Sequence, residues 1–325
     1  MTDISTVQPE KRFLDKHVLV TGGAGFVGSN LVGKLIKEGA RVTILDDFFT
    51  GCLDNLSGLD GQYELVEGSV TDQDVVMDLV SKAEIVFHLA ARNIIASTRN
   101  PYEDFQTNIG GTLHVLLAAR RYQPERVVYT SSASVYGNPM YLPINEEDRI
   151  NLLTPYAVSK YGGEGYCSAF HESYNLPVTV VRYSNVYGIG QDPNNPYCGV
   201  VSKFMEKARA GQTFEIHGDG QQTRDFTFVE DAVEATLLAG LSIKAEGEVF
   251  NIGTGIETSI NQLAQNVLSL YKLDLKPTYI DRRDIDNIRR RVLSVEKIRR
   301  KLRWVPSVTL IDGLQRTQEW FDQRI

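Results

Sequence analysis

The chain has 325 residues, 42% of them hydrophobic and 23% charged, with a formal net charge of -7. That composition excludes a disordered or fibrous chain and supplies a core for one large or two modest domains. The acidic balance offers no global field to nucleic acid, no apolar run reaches membrane-spanning length, and Cys52, Cys167 and Cys198 are too widely spaced for a metal-ligand pattern. The thiols read as free, in a reducing cytoplasm.

In chain order, Met1 to Asp15 is polar and acidic; it does not read as a secretory signal and is expected to be a loose arm. The apolar run Val18–Val20 predicts a buried strand, followed by glycines at 22, 25 and 28 and a helical face of Val27, Leu31, Val32, Leu35 and Ile36. Strand, glycine turn and helix in this order make a dinucleotide-binding unit. Gly22 allows the tight turn, Gly25 the approach of a pyrophosphate and Gly28 the close packing of helix on strand. The helix N-terminus then faces the phosphates. A second strand, Arg41 to Asp46, ends in acid at the distance where a carboxylate meets an adenosine ribose. Such an acid accepts from the ribose hydroxyls and repels a 2′-phosphate, so it favours NAD over NADP.

Further strands are predicted at Tyr63–Glu67, Ile85–Ala91, Arg126–Ser132 and Val178–Tyr183. Between them Asp72 caps a helix with Val75, Val76, Leu79 and Val80 inward, one long helix covers much of Glu103–Tyr122 up to Pro124, and another starts near Pro155. This alternation predicts a doubly wound parallel α/β sheet with its site at the C-terminal strand ends. Past Asn185 the expectation is a loop over Gly188–Gly199, helices Val200–Ala210 and Asp231–Leu241, and strands Phe214–His217 and Val249–Ile252. Helices near 259–271, 295–302 and 309–323 close the chain. The organisation expected is an arm (1–15), a Rossmann domain (16–188, rejoined by 226–253) and a smaller substrate lobe (189–225 and 254–325).

Tyr156 and Lys160 share one helix face. A phenol ordinarily ionises near ~10, and a neighbouring ammonium lowers that value towards useful basicity. Lys160 can also hold a nicotinamide ribose. Ser132, at the end of a strand of the same sheet, can donate to a substrate oxygen while Tyr156 moves the proton.

Gly22-x-x-Gly25-x-x-Gly28, Asp46, His88-Leu-Ala-Ala91, Asn108, the Ser132 segment and Tyr156-x-x-x-Lys160 together resemble the extended short-chain dehydrogenase/reductase family, from about residue 16 to the C-terminus. Arg182-Tyr-Ser-Asn185 and Gly218-Asp-Gly-Gln-Gln-Thr-Arg224-Asp225 resemble its nucleotide-sugar epimerase/dehydratase branch. The resemblance implies a tightly held NAD at Gly22, Gly25, Phe26, Val27, Gly28, Asp46, Asp47, Ser69, Val70, Leu89, Ala90, Ala91, Asn108, Tyr156, Lys160 and Tyr183. It implies catalysis by Tyr156, Lys160 and Ser132, and a nucleotide sugar held by Ser132, Ser134, Tyr156, Asn185, Val200, Arg224, Arg290 and Arg291. Asn185 and Arg224 would meet the diphosphate, which suits a guanidinium fork. A homodimer is also usual among such proteins.

Ser134 stands where dehydratases and uronate decarboxylases carry an acid, which points to a 4-epimerase of a UDP-hexose or UDP-hexuronate that passes through a 4-keto sugar. Against a simple substrate assignment, Ser69 replaces an expected adenine-contacting Asp, and Gly190 replaces an arginine. Arg290 and Arg291 fall where uronate decarboxylases have paired arginines, although Asp284 and Asp286 could absorb their charge. UDP-glucuronate decarboxylation and 4,6-dehydration therefore stay open. A non-catalytic nucleotide-binding protein would be expected to lose the glycine turn or the Tyr/Lys pair, and an NADP-dependent carbonyl reductase conflicts with Asp46. Local arginines alone speak for nucleic acid.

Overall fold

The computed structural model describes residues 11–195, 198–282 and 288–323. The first half alternates strand and helix: β1 (His17–Thr21), α1 (Phe26–Lys37), β2 (Arg41–Asp46), β3 (Tyr63–Glu67), α2 (Gln73–Ser81) and β4 (Ile85–His88). Then come α3 (Ile94–Arg99), α4 (Pro101–Asp104), α5 (Thr112–Tyr122), β5 (Arg126–Ser132), α6 (Pro155–Tyr174), β6 (Val178–Tyr183) and β7 (Asn185–Tyr187). The second half holds α7 (Val200–Arg209), β8 (Glu215–His217), β9 (Thr223–Arg224), β10 (Phe226–Phe228), α8 (Val229–Leu241) and β11 (Val249–Ile252). It ends with β12 (Thr258–Ser259), α9 (Ile260–Leu270), β13 (Thr278–Ile280), α10 (Glu296–Leu302) and α11 (Leu310–Gln323).

Seven strands form one parallel sheet in the order β11-β6-β5-β4-β1-β2-β3. The strands are near-continuous apolar runs because helices cover both faces. The chain reverses its winding between β1 and β4, so a crevice opens at their C-terminal ends. A separate apolar core under α7, α9 and α11 is built around Phe204, Phe214 and Leu263, with three two-stranded ladders beside it.

Three expectations change. The arm is not loose over residues 11–15: Phe13 is fully buried against Phe87, and Arg12 is ion-paired with Glu38 and Glu234. The apolar ring beside two acids is what anchors it. The long helix predicted over Glu103–Tyr122 is interrupted by a π turn at Phe105–Gly111, which widens the helix where Thr107, Asn108 and Gly111 are buried. In the returning segment 226–253, β11 joins the main sheet beside β6, whereas β10 pairs with β7 in a small ladder of its own.

Candidate active site

The glycine turn leaves β1 with Gly22 at φ +72°, a conformation that disfavours any side chain. A Cβ there would lie 2.8 Å from the Ala90 nitrogen, and one on Gly28 would meet the Gly22 carbonyl oxygen at 2.1 Å. Both glycines are therefore fixed by close packing. Gly22, Gly25, Phe26, Val27, Gly28, Asp46, Asp47, Val70, Leu89, Ala90 and Ala91 line one cleft, joined by Phe49, Thr50 and Arg92. Asp46 accepts the N–H groups of Ala24 (2.8 Å) and Phe48 (2.9 Å). Burial raises its pKa, and these two donors oppose that rise. A glycine cradle with an acid at the end of β2 fits a dinucleotide.

Some expected cofactor residues sit elsewhere. Ser69 lies between the cleft residues Gly68 and Val70, with its hydroxyl accepting from Thr71. Asn108 is buried; its amide donates to Asp104 (2.6 Å), Ser159 (3.0 Å) and the Arg92 carbonyl (3.0 Å) and accepts the Arg92 N–H (2.7 Å). It braces the loop after β4 and does not line the cleft. The Tyr183 hydroxyl shares a hydrogen bond with Thr236 at 2.6 Å on α8. His88 is buried between Thr21 and Thr112, and burial drives its pKa down to about 3, so it is neutral.

Ser132 ends β5, and Tyr156 and Lys160 come from the first turns of α6. That helix starts sharply: Thr154 accepts the Ala157 N–H at 3.1 Å, and Pro155 occupies the first turn. Ser132 Oγ accepts the Ser134 N–H and donates to Ser134 Oγ, each at 3.1 Å, and the Ser132 hydroxyl acts to lower the pKa of Tyr156. Ser132 thus faces Tyr156, and none of the three expected catalytic side chains is among the residues lining the cleft. The electrostatics differ from the expectation. Lys160 Nζ donates to the Thr130 carbonyl at 2.8 Å and lies 5.1 Å from the Tyr129 ring centre. Burial pulls the ammonium down to about 8, against the raising influence of Asp104 and Glu164. Tyr156 is pushed up to about 12 by burial, with the Ser132 hydroxyl and the charge of Arg291 acting to lower it. Desolvation outweighs the cation here, and that cation is Arg291.

Sequence reading missed the polar support behind this group. Asp104 is buried and accepts from Ser97 (2.5 Å), Asn108 (2.6 Å) and Ser159 (2.9 Å), tying α4 and the π turn to α6. Glu164 on α6 holds Arg182 on β6 through Nη2 (2.6 Å) and Nε (2.9 Å) and also takes the Ser131 hydroxyl. Only the recurrence of Asp104 and Asn108 on one helix face hinted at the first cluster.

On the substrate side, β7 pairs with β10 so that Asn185 stands opposite Phe226, two residues past Arg224. Arg224 is buried; its Nη1 donates to the Thr223 and Ile288 carbonyls at 2.8 and 2.9 Å. Asp225 spends its carboxylate on Thr254, Gly255 and the Leu293 N–H, which draws the 288–293 strap against β9. Within the strap the arginines part. Arg289 pairs with Asp219 on the surface, and Arg290 makes a two-pronged pair with Glu257, both contacts 2.6 Å, with 57% of its side chain exposed. Arg291 is 4% exposed and is the one whose charge acts on Tyr156. Arg290 is therefore engaged on the surface by Glu257 on the β12 side, which captures its fork. Val200 is the first residue of α7, half-buried. Asp284 and Asp286 lie outside the described residues. Among the described residues there is no metal-ligating cluster, and no helix is long and apolar enough to cross a membrane.

A UDP-glucose 4-epimerase of Mycolicibacterium smegmatis is 38% identical over 310 residues, 94% of this chain and 98% of that one. A UDP-N-acetyl-alpha-D-glucosaminuronate decarboxylase of Bacillus cytotoxicus is 35% identical, over 95% of this chain and 98% of that one. The crystal structure of the Thermotoga maritima UDP-glucose 4-epimerase with UDP-glucose superimposes with a TM-score of 0.90 at 38% identity, covering 94% of this chain and 99% of that one. Residues 18–253 match the NAD dependent epimerase/dehydratase family, and the chain belongs to that family of NAD-dependent enzymes.

Proposed function

We propose that the chain is an NAD-dependent 4-epimerase of a UDP-linked hexose or hexuronate. The observation that carries this reading is Tyr156 on α6 under the influence of the Ser132 hydroxyl at the end of β5, with a hydroxyl at Ser134 where decarboxylation or dehydration would call for an acid. NAD, when bound, supplies a hydride acceptor that is regenerated within each turnover. Tyr156 takes the proton of the sugar 4-hydroxyl through its phenolate form and returns it at the end. Ser132 donates to the same oxygen. Lys160, anchored on the Thr130 carbonyl, braces the start of α6 against β5. Arg224 and Asn185 hold the diphosphate, leaving the hexose to turn over in the pocket, and Arg291 adds a buried cation near the reacting oxygen.

Uronate decarboxylation is the second reading, because a buried Arg291 suits a sugar carboxylate and a decarboxylase is among the similar proteins. Proton NMR of the protein incubated separately with UDP-glucose, UDP-N-acetylglucosamine and UDP-glucuronate, without added cofactor, tests both. A 4-epimer in any tube supports epimerisation and identifies the sugar. A pentose from UDP-glucuronate replaces it with decarboxylation.

A further inference from the structure

Arg92 follows β4, and Asp47 follows β2. In the sheet these strands are not neighbours: β1 lies between them. Yet Arg92 Nη2 donates to Asp47 Oδ2 at 2.9 Å, so the ion pair passes over the C-terminal end of β1, where the glycine turn begins. Arg92, Asp47 and Phe49 all line the same cleft as Gly22, Gly25 and Gly28. The guanidinium carbon stands 4.0 Å from the centre of the Phe49 ring, and Nε donates to Glu103 at 2.7 Å on α4. The Arg92 backbone is pinned on both sides by Asn108, and its side chain is only 12% exposed. A fork, a stacked ring and a pinned backbone make an arrangement with little freedom.

We propose that Arg92 is a cofactor-retention residue: held by Asp47 and Glu103 over Phe49, it closes the mouth of the dinucleotide cleft and has to release Asp47 before the dinucleotide leaves. Asp47 and Phe49 are carried by the loop after β2, so parting the pair frees one wall of the cleft while α1 and the glycine turn stay in place. Because Arg92 is neutralised by two carboxylates, it acts as a closure and adds little net charge to the site. The inference rests on the cleft binding the dinucleotide and not on which sugar is turned over.

The test loads the full chain with NAD+, removes the excess and measures NAD in the filtrate over time, with no sugar present. Arg92→Ala is expected to release NAD about tenfold faster or more, since cutting a charge pair that closes the mouth acts mainly on the off-rate. Glu103→Gln should give a smaller acceleration, about threefold, and none in the Arg92→Ala background. Glu103 does not line the cleft, so its effect has to pass through Arg92. Added salt should speed release from the parent chain and not from Arg92→Ala. A merely structural pair would lower the melting temperature of the NAD-free chain without moving these rates. Release within about twofold of the parent in Arg92→Ala or in Glu103→Gln overturns the proposal, and if Arg92→Ala does not fold, Glu103→Gln decides alone.

Discussion

In the proposed epimerisation Tyr156 has to lose a proton at a position that resists charge. Burial holds its phenol up at about 12, and the Ser132 hydroxyl and the Arg291 cation work against that burial. Tyr156→Phe removes the acid/base and should cut turnover by about 10²–10⁴-fold with the fold and NAD content unchanged. Near-normal turnover would remove Tyr156 from the mechanism. The active form is the phenolate, so kcat/KM should climb as pH rises. Removing a cation destabilises that form, and Arg291→Ala should move the rising limb to higher pH. A limb that stays in place or moves to lower pH contradicts the coupling. If Arg224 is the proposed diphosphate clamp, Arg224→Ala should chiefly raise KM, because such a clamp binds ground and transition states alike. At this scale the spacing of Tyr156 and Lys160 and the acid at Asp46 were legible, since local periodicity decides them. The partner of Lys160 was not. Its ammonium is drawn to the Thr130 carbonyl by the packing of α6 on β5, and no local pattern encodes that contact. The separation of Arg290 from Arg291 was hidden for the same reason: Glu257, far away in sequence, captures one and not the other.

The helix that carries Tyr156 and Lys160 comes closest to the sheet at Tyr129. The Tyr129 hydroxyl donates to the Lys160 carbonyl, and Gly163 passes directly over the same ring. A Cβ on Gly163 would meet the Tyr129 oxygen at 2.3 Å, while Tyr129 is fully buried and has nowhere to move. Gly163→Ala should therefore push α6 off β5, costing about 1–3 kcal/mol of stability. The displacement falls one turn beyond Lys160, so turnover should drop with it. A melting temperature and a kcat equal to those of the parent would show that α6 has slack. Strands and helices of the first half were readable because two alternating periods dominate there. The π turn at Phe105–Gly111 was not: Thr107, Asn108, Gly110 and Gly111 are weak helix formers, but weak propensity does not specify a wider turn, and the burial of Asn108 between Arg92 and Ser159 is a tertiary contact. The short ladders β7–β10 and β9–β12 escaped as well, since two or three residues carry no period.

The order of the whole sheet explains why one mouth collects the functional groups. β1 and β4 part at the reversal of winding; β5 delivers Ser132 next to β4, and β6 runs on into β7 and Asn185. Residues far outside this mouth hold the frame. Arg12 reaches both Glu38, at the end of α1, and Glu234 on α8, closing the N-terminal segment over the helices on one sheet face. The guanidinium holds the Glu38 carboxyl down to about 2, from an ordinary value of 4.5. A carboxylate depressed in the folded chain stabilises it above the unfolded value, and that contribution fades as pH falls through 4.5 towards about 2. Glu38 is partly open to solvent, so screening trims the effect. Arg12→Ala removes the cause of the depression. Its stability deficit against the parent should be largest at neutral pH and shrink in that acid window. Denaturant titrations of both chains across the window check the sign, and a deficit that grows on acidification would mean that the arm is held by Phe13 rather than by charge.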